Sequence, residues 1–270
     1  MLSKIVIRIT LPCAIISNFS KISMDMSMLI LCVIGIVCNL IYVGIGYGIN
    51  QKRSGDAKAF DMLNLSGYNI GNFTMPFIQN FLGPVGFAAT SLFDAGNSVM
   101  CTGLTFALAS AAKGEGGRSS AGSMVKTLLS SLPFDCYLIM TVVAMFQIQL
   151  PEVVLSFAST AGGANAFLAL FMIGIGFEIH ADKEKLTEIV KILSIRYSIA
   201  LAFSLIFYFL APFSLEVRQT LAIVAFGPVS SVSPAFTGKL NGDVELSSAI
   251  NSLQIMISVV LLTLALIVVL

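Results

Sequence analysis

Two apolar stretches carry the residues whose types and spacing could bind a solute. Residues 64–80 (NLSGYNIGNFTMPFIQN) hold four asparagines, two glycines, Thr74 and Pro76. Residues 227–242 (GPVSSVSPAFTGKLNG) hold two prolines and three serines, with a glycine at each end. Proline removes a backbone donor, and glycine weakens a helix. Because freed backbone groups cannot face lipid, both stretches predict interrupted helices that line a cavity or pack inside the protein.

Asn69 is the residue that we expect to hold the solute. Its amide offers two donors and an acceptor, so it can bind a carboxylate without a buried counter-charge. Freed N–H groups of the interrupted helix would add further donors. The alternative is that Asn69 only caps the helix break, and Asn72 could equally be a cap or a more distant contact. The predicted substrate-binding residues are Asn69, Asn72, Pro76, Ser231, Ser233 and Pro234.

Other polar residues could bind a cation or a proton. Asp94 and Asn97 lie one helical turn apart, so they share a face, either as such a site or as a hydrogen bond between helices. Asp135 lies near the inner end of its helix, where it could be merely interfacial. Ser247, Asn251, Gln254 and Ser258 recur on one helix face and could line a pathway, bind sodium or join helices. The predicted ion or proton site comprises Asp94, Asn97, Asp135, Asn251 and Gln254.

The elements that must position these residues are membrane helices. The chain is 57% hydrophobic and only 11% charged, with a mean hydropathy of +0.94. A soluble domain of this length needs more polar surface. A spanning helix needs about 20 apolar residues. The predicted fold is an all-α membrane protein with nine transmembrane helices, over roughly 3–20, 26–49, 60–82, 84–109, 124–147, 152–177, 188–211, 217–239 and 244–270.

The basic residues predict which side of the membrane each loop occupies. If the chain starts inside and alternates, all Lys and Arg except Lys21, Arg218 and Arg196 fall in inside segments. This bias predicts a multi-pass protein of the plasma membrane, with a cytoplasmic amino terminus and an outside carboxyl terminus. Arg196 lies near the start of its helix, and we expect it to snorkel to the inner surface. His180, in the charged loop 178–191, is predicted to be solvated.

The positions of the two interrupted helices indicate an internal repeat. The second is the fourth helix of the last five, whereas the first is only the third helix of the chain. We expect a ten-helix inverted repeat that lacks its first helix, through truncation or loss. The predicted units are an incomplete first repeat of four helices (1–110), an inter-repeat loop (111–123) and a second repeat of five helices (124–270). The glycine-rich AKGEGGRSSAG (112–122) lacks the ending of a phosphate loop and is predicted to be a flexible link.

Three segments resemble the auxin efflux carrier family. They are LSKIVIRITLPCAII (2–16), YNIGNFTMPFIQNFLG (68–83) and SVSPAFTGKLNGDVELSSAINSLQIMIS (231–258). The resemblance implies a ten-helix fold of two inverted repeats, similar to the bile-acid sodium symporter fold, with the substrate at the crossing of the two broken helices. Tyr68 and Thr74 stand where the family usually has glycine. Asp135 lies where the family often has an asparagine near the site, and its charge would repel an anion unless protonated or bound to a cation.

Composition narrows the function classes further. A net charge of +1 argues against nucleic acid as a partner. The five cysteines lie in apolar stretches without metal-ligand spacing, so neither a metal site nor a disulfide is predicted. We expect no catalytic residue and no cofactor, with coupling to Na⁺ or H⁺ left open.

The expected function is secondary transport of a small organic anion, a carboxylate, by alternating access within the lipid bilayer, with a homodimer left open. A sodium-coupled symporter of the bile-acid type is the main alternative. Asp94 and Asp243 raise an intramembrane aspartyl protease as a remote one, and the expected missing helix raises a non-transporting receptor-like protein.

Overall fold

A computed structural model describes residues 2–21, 26–114, 122, 129, 132–168, 171 and 185–270. All regular secondary structure in these ranges is helical, which confirms the all-α prediction for this part of the chain. His180 lies outside the described residues. So does most of the predicted inter-repeat loop 111–123, and parts of the predicted stretches 124–147 and 152–177 lie outside as well.

The first half of the chain forms short helices joined by π-helical turns at Val6–Thr10, Ile70–Thr74 and Met100–Leu104. A 3₁₀ turn, Met26–Leu29, leads into the longest helix of this half. The α-helices are α1 (Leu2–Ile5), α2 (Leu11–Phe19), α3 (Ile30–Gly48), α4 (Gly55–Leu65), α5 (Met75–Gln79), α6 (Pro84–Val99) and α7 (Thr105–Lys113).

The second half contains two helices of 25 and 26 residues among shorter ones. Its described α-helices are α8 (Leu132–Met145), α9 (Glu152–Gly163), α10 (Leu186–Leu210), α11 (Leu215–Val224), α12 (Ser233–Lys239) and α13 (Val244–Val269).

Three helices in the described part of the chain, α3, α10 and α13, are long and apolar enough to cross a membrane, rather than the nine expected. The number nine comes from apolar windows in the sequence, and some of these windows include residues that interrupt the helix. The window 60–82 is divided between α4 and α5, and the window 217–239 is divided between α11 and α12. Hydropathy alone does not reveal such breaks, because the interrupting residues are few within each window.

The helices pack as two bundles. The small bundle consists of α2, α8 and α9, and the large bundle consists of α3–α7 and α10–α13. In both bundles, glycines allow neighbouring helices to approach closely. A Cβ on Gly162 of α9 would lie 2.7 Å from the Ala14 nitrogen of α2, and a Cβ on Gly96 of α6 would lie 1.8 Å from the Cys32 oxygen of α3. Small residues at such positions allow apolar helices to pack without side-chain interlocking.

Polar residues lie inside the large bundle and apolar residues lie on its surface. Asn39, Asn64 and Gln254 are fully buried, whereas Val268 near the end of α13 is 82% exposed. A soluble protein places these residue types the other way round. The distribution therefore fits a hydrocarbon solvent around the helices.

Ion pairs join loops that the charge bias assigns to the same side. Arg53, after α3, pairs with Glu188 of α10 at 3.2 Å. Lys113, at the end of α7, pairs with Asp56 of α4 at 3.0 Å. Lys185 pairs with both Asp243 and Glu245 before and within α13. These contacts bring the predicted inside segments together at one end of the large bundle.

A candidate solute site where two interrupted helices meet

The two stretches singled out by their prolines and asparagines are interrupted and in contact. The α4 helix ends at Leu65, and the next helical turn begins at Ile70. The Asn69 backbone N–H donates a hydrogen bond to the Pro228 carbonyl at 2.9 Å. The Asn69 side-chain amide donates to the Ser231 hydroxyl at 2.8 Å. Backbone and side chain of one break thus contact the other directly, and we call this meeting point the crossing.

Gly67 is needed at the crossing for both conformation and space. Its φ of +88° lies in the left-handed region that favours glycine. A Cβ there would lie 3.0 Å from the Ser230 Cβ and 3.2 Å from the Cys101 Sγ. The first break can approach the second this closely only because residue 67 has no side chain.

Asparagine amides pair with the freed backbone of the first break. The Asn97 Oδ1 accepts from the Tyr68 N–H at 2.9 Å, and its Nδ2 donates to the Tyr68 carbonyl at 2.9 Å. The Asn39 Oδ1 accepts from the Gly67 N–H at 2.6 Å. These amides supply the hydrogen bonds that a continuous helix would otherwise make.

The second break lies between the end of α11 at Val224 and the start of α12 at Ser233. Polar side chains on one face of α13 pair with its backbone groups in the same way. The Gln254 Oε1 accepts from the Val229 N–H at 2.8 Å. The Asn251 Nδ2 donates to the Ser230 carbonyl at 3.1 Å. Of the alternatives left open for this stripe, hydrogen bonding between helices is the one its contacts display.

The two breaks are therefore supported equivalently. Asn97 lies on α6, which follows the first break, and Gln254 lies on α13, which follows the second. Each amide accepts from a backbone N–H in the break that precedes its own helix. Correspondence in both place and role is what two related repeats would produce.

Arg196 binds both breaks at once. It is only 1% exposed, so the expectation that it snorkels to the inner surface is wrong. Its Nη2 donates to the Gly67 carbonyl at 3.0 Å and to the Gly227 carbonyl at 2.9 Å, and its Nη1 donates to the Leu65 carbonyl. The freed carbonyls provide acceptors inside the protein, so the side chain need not reach the surface.

The charge of Arg196 is balanced without a carboxylate. No ion pair to this guanidinium occurs among the described residues. The carbonyl ends of α4 and α11 point at it instead, and each carries about half a negative charge. The rings of Tyr42 and Tyr68 lie 4.9 and 5.0 Å from its Cζ, and such contacts further stabilise a buried cation.

One side of the crossing lies at the protein surface. Asn69 is 5% exposed, whereas its partner Ser231 is exposed. A crevice with roughly 10 Å³ of water-accessible space, enough for about one water molecule, lies against Gly67, Ser230 and Ser233. The crossing is therefore closely packed and polar, with an opening at Ser231.

The predicted prolines lie downstream of the breaks. Pro76 is buried in the first turn of α5, and Pro234 is half-buried in the first turn of α12. Pro234 suits its position because the missing N–H has no partner there in any case, whereas Pro76 follows directly on the π-helical turn Ile70–Thr74. Asn72 lies half-buried in the π-helical turn, three residues from Asn69.

Asp94 and Asn97 hydrogen-bond to each other, and a third residue joins them. The Asn97 Nδ2 donates to the Asp94 Oδ1 at 2.9 Å, and the Tyr137 hydroxyl donates to the Asp94 Oδ2 at 3.0 Å. Asp135 instead lies half-buried in the first turn of α8, where a carboxylate favourably opposes the helix dipole. Asp135 takes no part in the hydrogen bonds that join Asp94, Asn97 and Tyr137 in the described structure.

Asp94 and Asp243 share no hydrogen-bonding partner in the described structure. The Asp243 Oδ1 accepts from the Leu246 N–H at 2.9 Å as the cap of α13. Burial acts to raise the pKa of the Asp243 carboxyl, but the Leu246 N–H and the Lys185 ammonium hold it below its usual value. The contacts do not assemble the paired carboxylates of an aspartyl protease.

Three residues of this arrangement were missed by sequence reasoning: Arg196 as a clamp, Asn39 and Tyr137. A lone asparagine within ILCVIGIVCNLIYVGIGYG (30–48) is itself a signal, because amides at membrane depth are rare. Tyr137 gave no comparable signal.

No protein-family model matches this chain, and a search of curated proteins finds no match either. The function is therefore inferred from the crossing and the residues around it.

Proposed function

We propose that this chain is a secondary membrane carrier for a small organic anion, which binds at the crossing and passes by alternating access. The observation that carries the proposal is the direct contact of two interrupted helices, through Asn69 to Pro228 and Ser231. Interrupted helices that meet inside a membrane protein present backbone groups to a solute without exposing them to lipid. Continuous helices cannot do this.

The fold that accompanies this proposal is an inverted repeat of membrane helices. Under it, α4–α5, α6–α7 and α11–α12 each cross the membrane in two pieces, beside the unbroken α3, α10 and α13. The equivalent roles of Asn97 and Gln254 support two related repeats. The ion pairs at one end of the large bundle support a cytoplasmic side there.

An anion suits the crossing for electrostatic reasons. Arg196 offsets the carbonyl ends of α4 and α11, so the negative ends of the half-helices do not repel an anion. Asn69 and Ser231 then offer neutral donors on the open side. A carboxylate oxygen would replace the Ser231 oxygen as the acceptor for the Asn69 amide.

Movement of the large bundle against the small bundle would alternate the access. Their contact is mainly apolar, as where Leu11 of α2 lies 3.3 Å from the Cβ position of Gly71. Apolar surfaces can slide with little loss of specific bonding. The crossing lies wholly in the large bundle, so it would move as a unit with its solute.

The test is uptake into proteoliposomes of radiolabelled dicarboxylates, indole acids and bile acids, with and without sodium and proton gradients. We expect saturable uptake of at least one carboxylate, and Asn69→Ala should abolish it while the protein still inserts and folds. The matched control is Asn80→Ala. Asn80 is exposed at the end of α5, and within the described residues its side chain donates a hydrogen bond to the Pro76 carbonyl at 3.5 Å.

Two results would count against the proposal in different ways. Normal uptake by Asn69→Ala would remove Asn69 from the site but leave a carrier. Absence of uptake for every anion by the native protein, under every gradient, would contradict the carrier function itself.

A further inference from the structure

Asp94 is a buried carboxylate at the contact between the two bundles. It lies on α6 of the large bundle and is 7% exposed. Its Oδ2 accepts from the hydroxyl of Tyr137, which lies on α8 of the small bundle, at 3.0 Å. Among the described residues, side-chain hydrogen bonds between the bundles come from Tyr137 and from Gln79, which donates to the Gly162 carbonyl. The Tyr137–Asp94 bond has the only ionisable acceptor among these contacts.

Among the residues that the structure describes, the groups that face Asp94 do not include a cation. The Tyr137 hydroxyl faces Asp94 from α8, and the Asn97 amide faces it from α6, the helix that carries Asp94. The Cys101 thiol, about two helical turns further along the chain, interacts with it electrostatically. From the first break comes Gly71, whose Cβ position would lie 3.7 Å from the Asp94 Oδ2. Two neutral donors are thus what stabilises the charged form.

A charged carboxylate in this place opposes movement. An ionised carboxylate at membrane depth costs several kcal/mol even with partial solvation. When the bundles slide, the Tyr137 donor is left behind, because it belongs to the other bundle. The neutral acid form avoids the penalty, since it carries no charge across the contact.

Asp94 also connects to the solute site. The Asn97 Nδ2 donates both to the Asp94 Oδ1 and to the Tyr68 carbonyl, each at 2.9 Å. Tyr68 immediately precedes Asn69, which contacts the second break. A change at Asp94 therefore reaches the crossing through a single side chain.

We propose that Asp94 is the proton site that couples transport, so that the anion is carried together with H⁺. This inference rests on the proposed carrier function. A proton from water binds the Asp94 carboxylate, and the acid O–H then donates to the Tyr137 hydroxyl oxygen in a reversal of the present bond. With the Asp94 carboxyl neutral, the large bundle moves with anion and proton bound, and the proton leaves to water on the other side.

The experiment compares the native protein with Asp94→Asn in proteoliposomes, using whichever carboxylate the native protein takes up. One arm measures exchange of labelled for unlabelled anion without any gradient. The other measures accumulation driven by an inside-alkaline pH gradient, where one unit supports about tenfold accumulation at one proton per anion. Asp94→Asn mimics the neutral acid, so it should keep exchange and lose the gradient-driven accumulation.

Two further variants make the readout specific. Tyr137→Phe removes a hydrogen-bonding partner of both forms of Asp94, and because the bond to the charged form is the stronger one, half-maximal uptake should move to higher pH. Asp56→Asn is the control, because Asp56 is 70% exposed and its ion pair in the described part of the chain is with Lys113, away from Asp94. It should leave both arms unchanged.

Each outcome decides the matter. Gradient-driven accumulation that survives in Asp94→Asn, or that follows sodium and not protons in the native protein, overturns the proton site. Absence of exchange in the native protein instead overturns the carrier proposal. If Asp94→Asn does not insert, the pH profile of Tyr137→Phe decides, and an unchanged profile overturns the assignment.

Discussion

Replacing Arg196 with methionine should destabilise the large bundle strongly. The substitution keeps an unbranched side chain of similar length but leaves the Leu65, Gly67 and Gly227 carbonyls without their donor. Polar contacts in helical membrane proteins are worth about 0.6–1.7 kcal/mol each, so the three together contribute about 2–5 kcal/mol. Arg196→Lys should fall between native and Arg196→Met, because an ammonium keeps the charge but lacks the planar fork that reaches both breaks.

The assay is unfolding by SDS titration from mixed micelles, followed by far-ultraviolet circular dichroism because the chain contains no tryptophan. The control is Arg218→Met, since Arg218 is half-buried and donates to a single carbonyl, that of Tyr208, at 3.2 Å. Arg218→Met should lower the free energy of unfolding clearly less than Arg196→Met does. An Arg196→Met protein that unfolds at the native SDS fraction, or no earlier than Arg218→Met, would refute the clamp.

Two smaller perturbations test the packing and the loop contacts. Gly96→Ala should destabilise by about 1–3 kcal/mol through overpacking, because its Cβ would lie 1.8 Å from the Cys32 oxygen, whereas Gly44→Ala has nothing within 4 Å and should be neutral or stabilising. The same SDS titration distinguishes them. Because the pKa of Asp243 is lowered from 3.8 and that of Lys185 is raised from 10.5, their contact stabilises the fold between these values. The small deficit of Asp243→Asn at pH 7 should therefore shrink as the pH falls below about 3.8 and through the lowered pKa of the folded state, and a deficit that stays constant or grows on acidification would contradict this.

The two helix interruptions could be predicted from the sequence because their causes are local. Proline and glycine act on their own turn, so the composition of 64–80 and 227–242 was sufficient. Even so, the first break lies at Ser66–Asn69, before Pro76 and not at it. Pro76 instead lies inside the helical segment that runs from the π-helical turn Ile70–Thr74 into α5.

The contacts of Arg196 with the two breaks and the Tyr137–Asp94 hydrogen bond could not be predicted from the sequence, because the partners are remote in sequence. Arg196 binds carbonyls 129, 131 and 31 positions away, and Tyr137 binds a carboxylate 43 positions away. Backbone carbonyls carry no residue signature, so a basic residue near a helix end suggested the inner surface instead. The helix count failed for a related reason, since hydropathy averages over the residues that end a helix.

A disulfide between the two breaks would test the central claim directly. The variant carries Asn69→Cys and Ser231→Cys, since these side chains lie 2.8 Å apart at their polar atoms, in a background without the five native cysteines. A protease site placed within residues 115–121 allows the chain to be cut between the two positions after oxidation in the membrane. We predict that the two fragments stay joined until a reductant is added, whereas the pair Asn80→Cys and Ser231→Cys separates at once. Fragments of the first variant that separate without reductant would show that the two breaks do not meet, and the carrier account would fail with them.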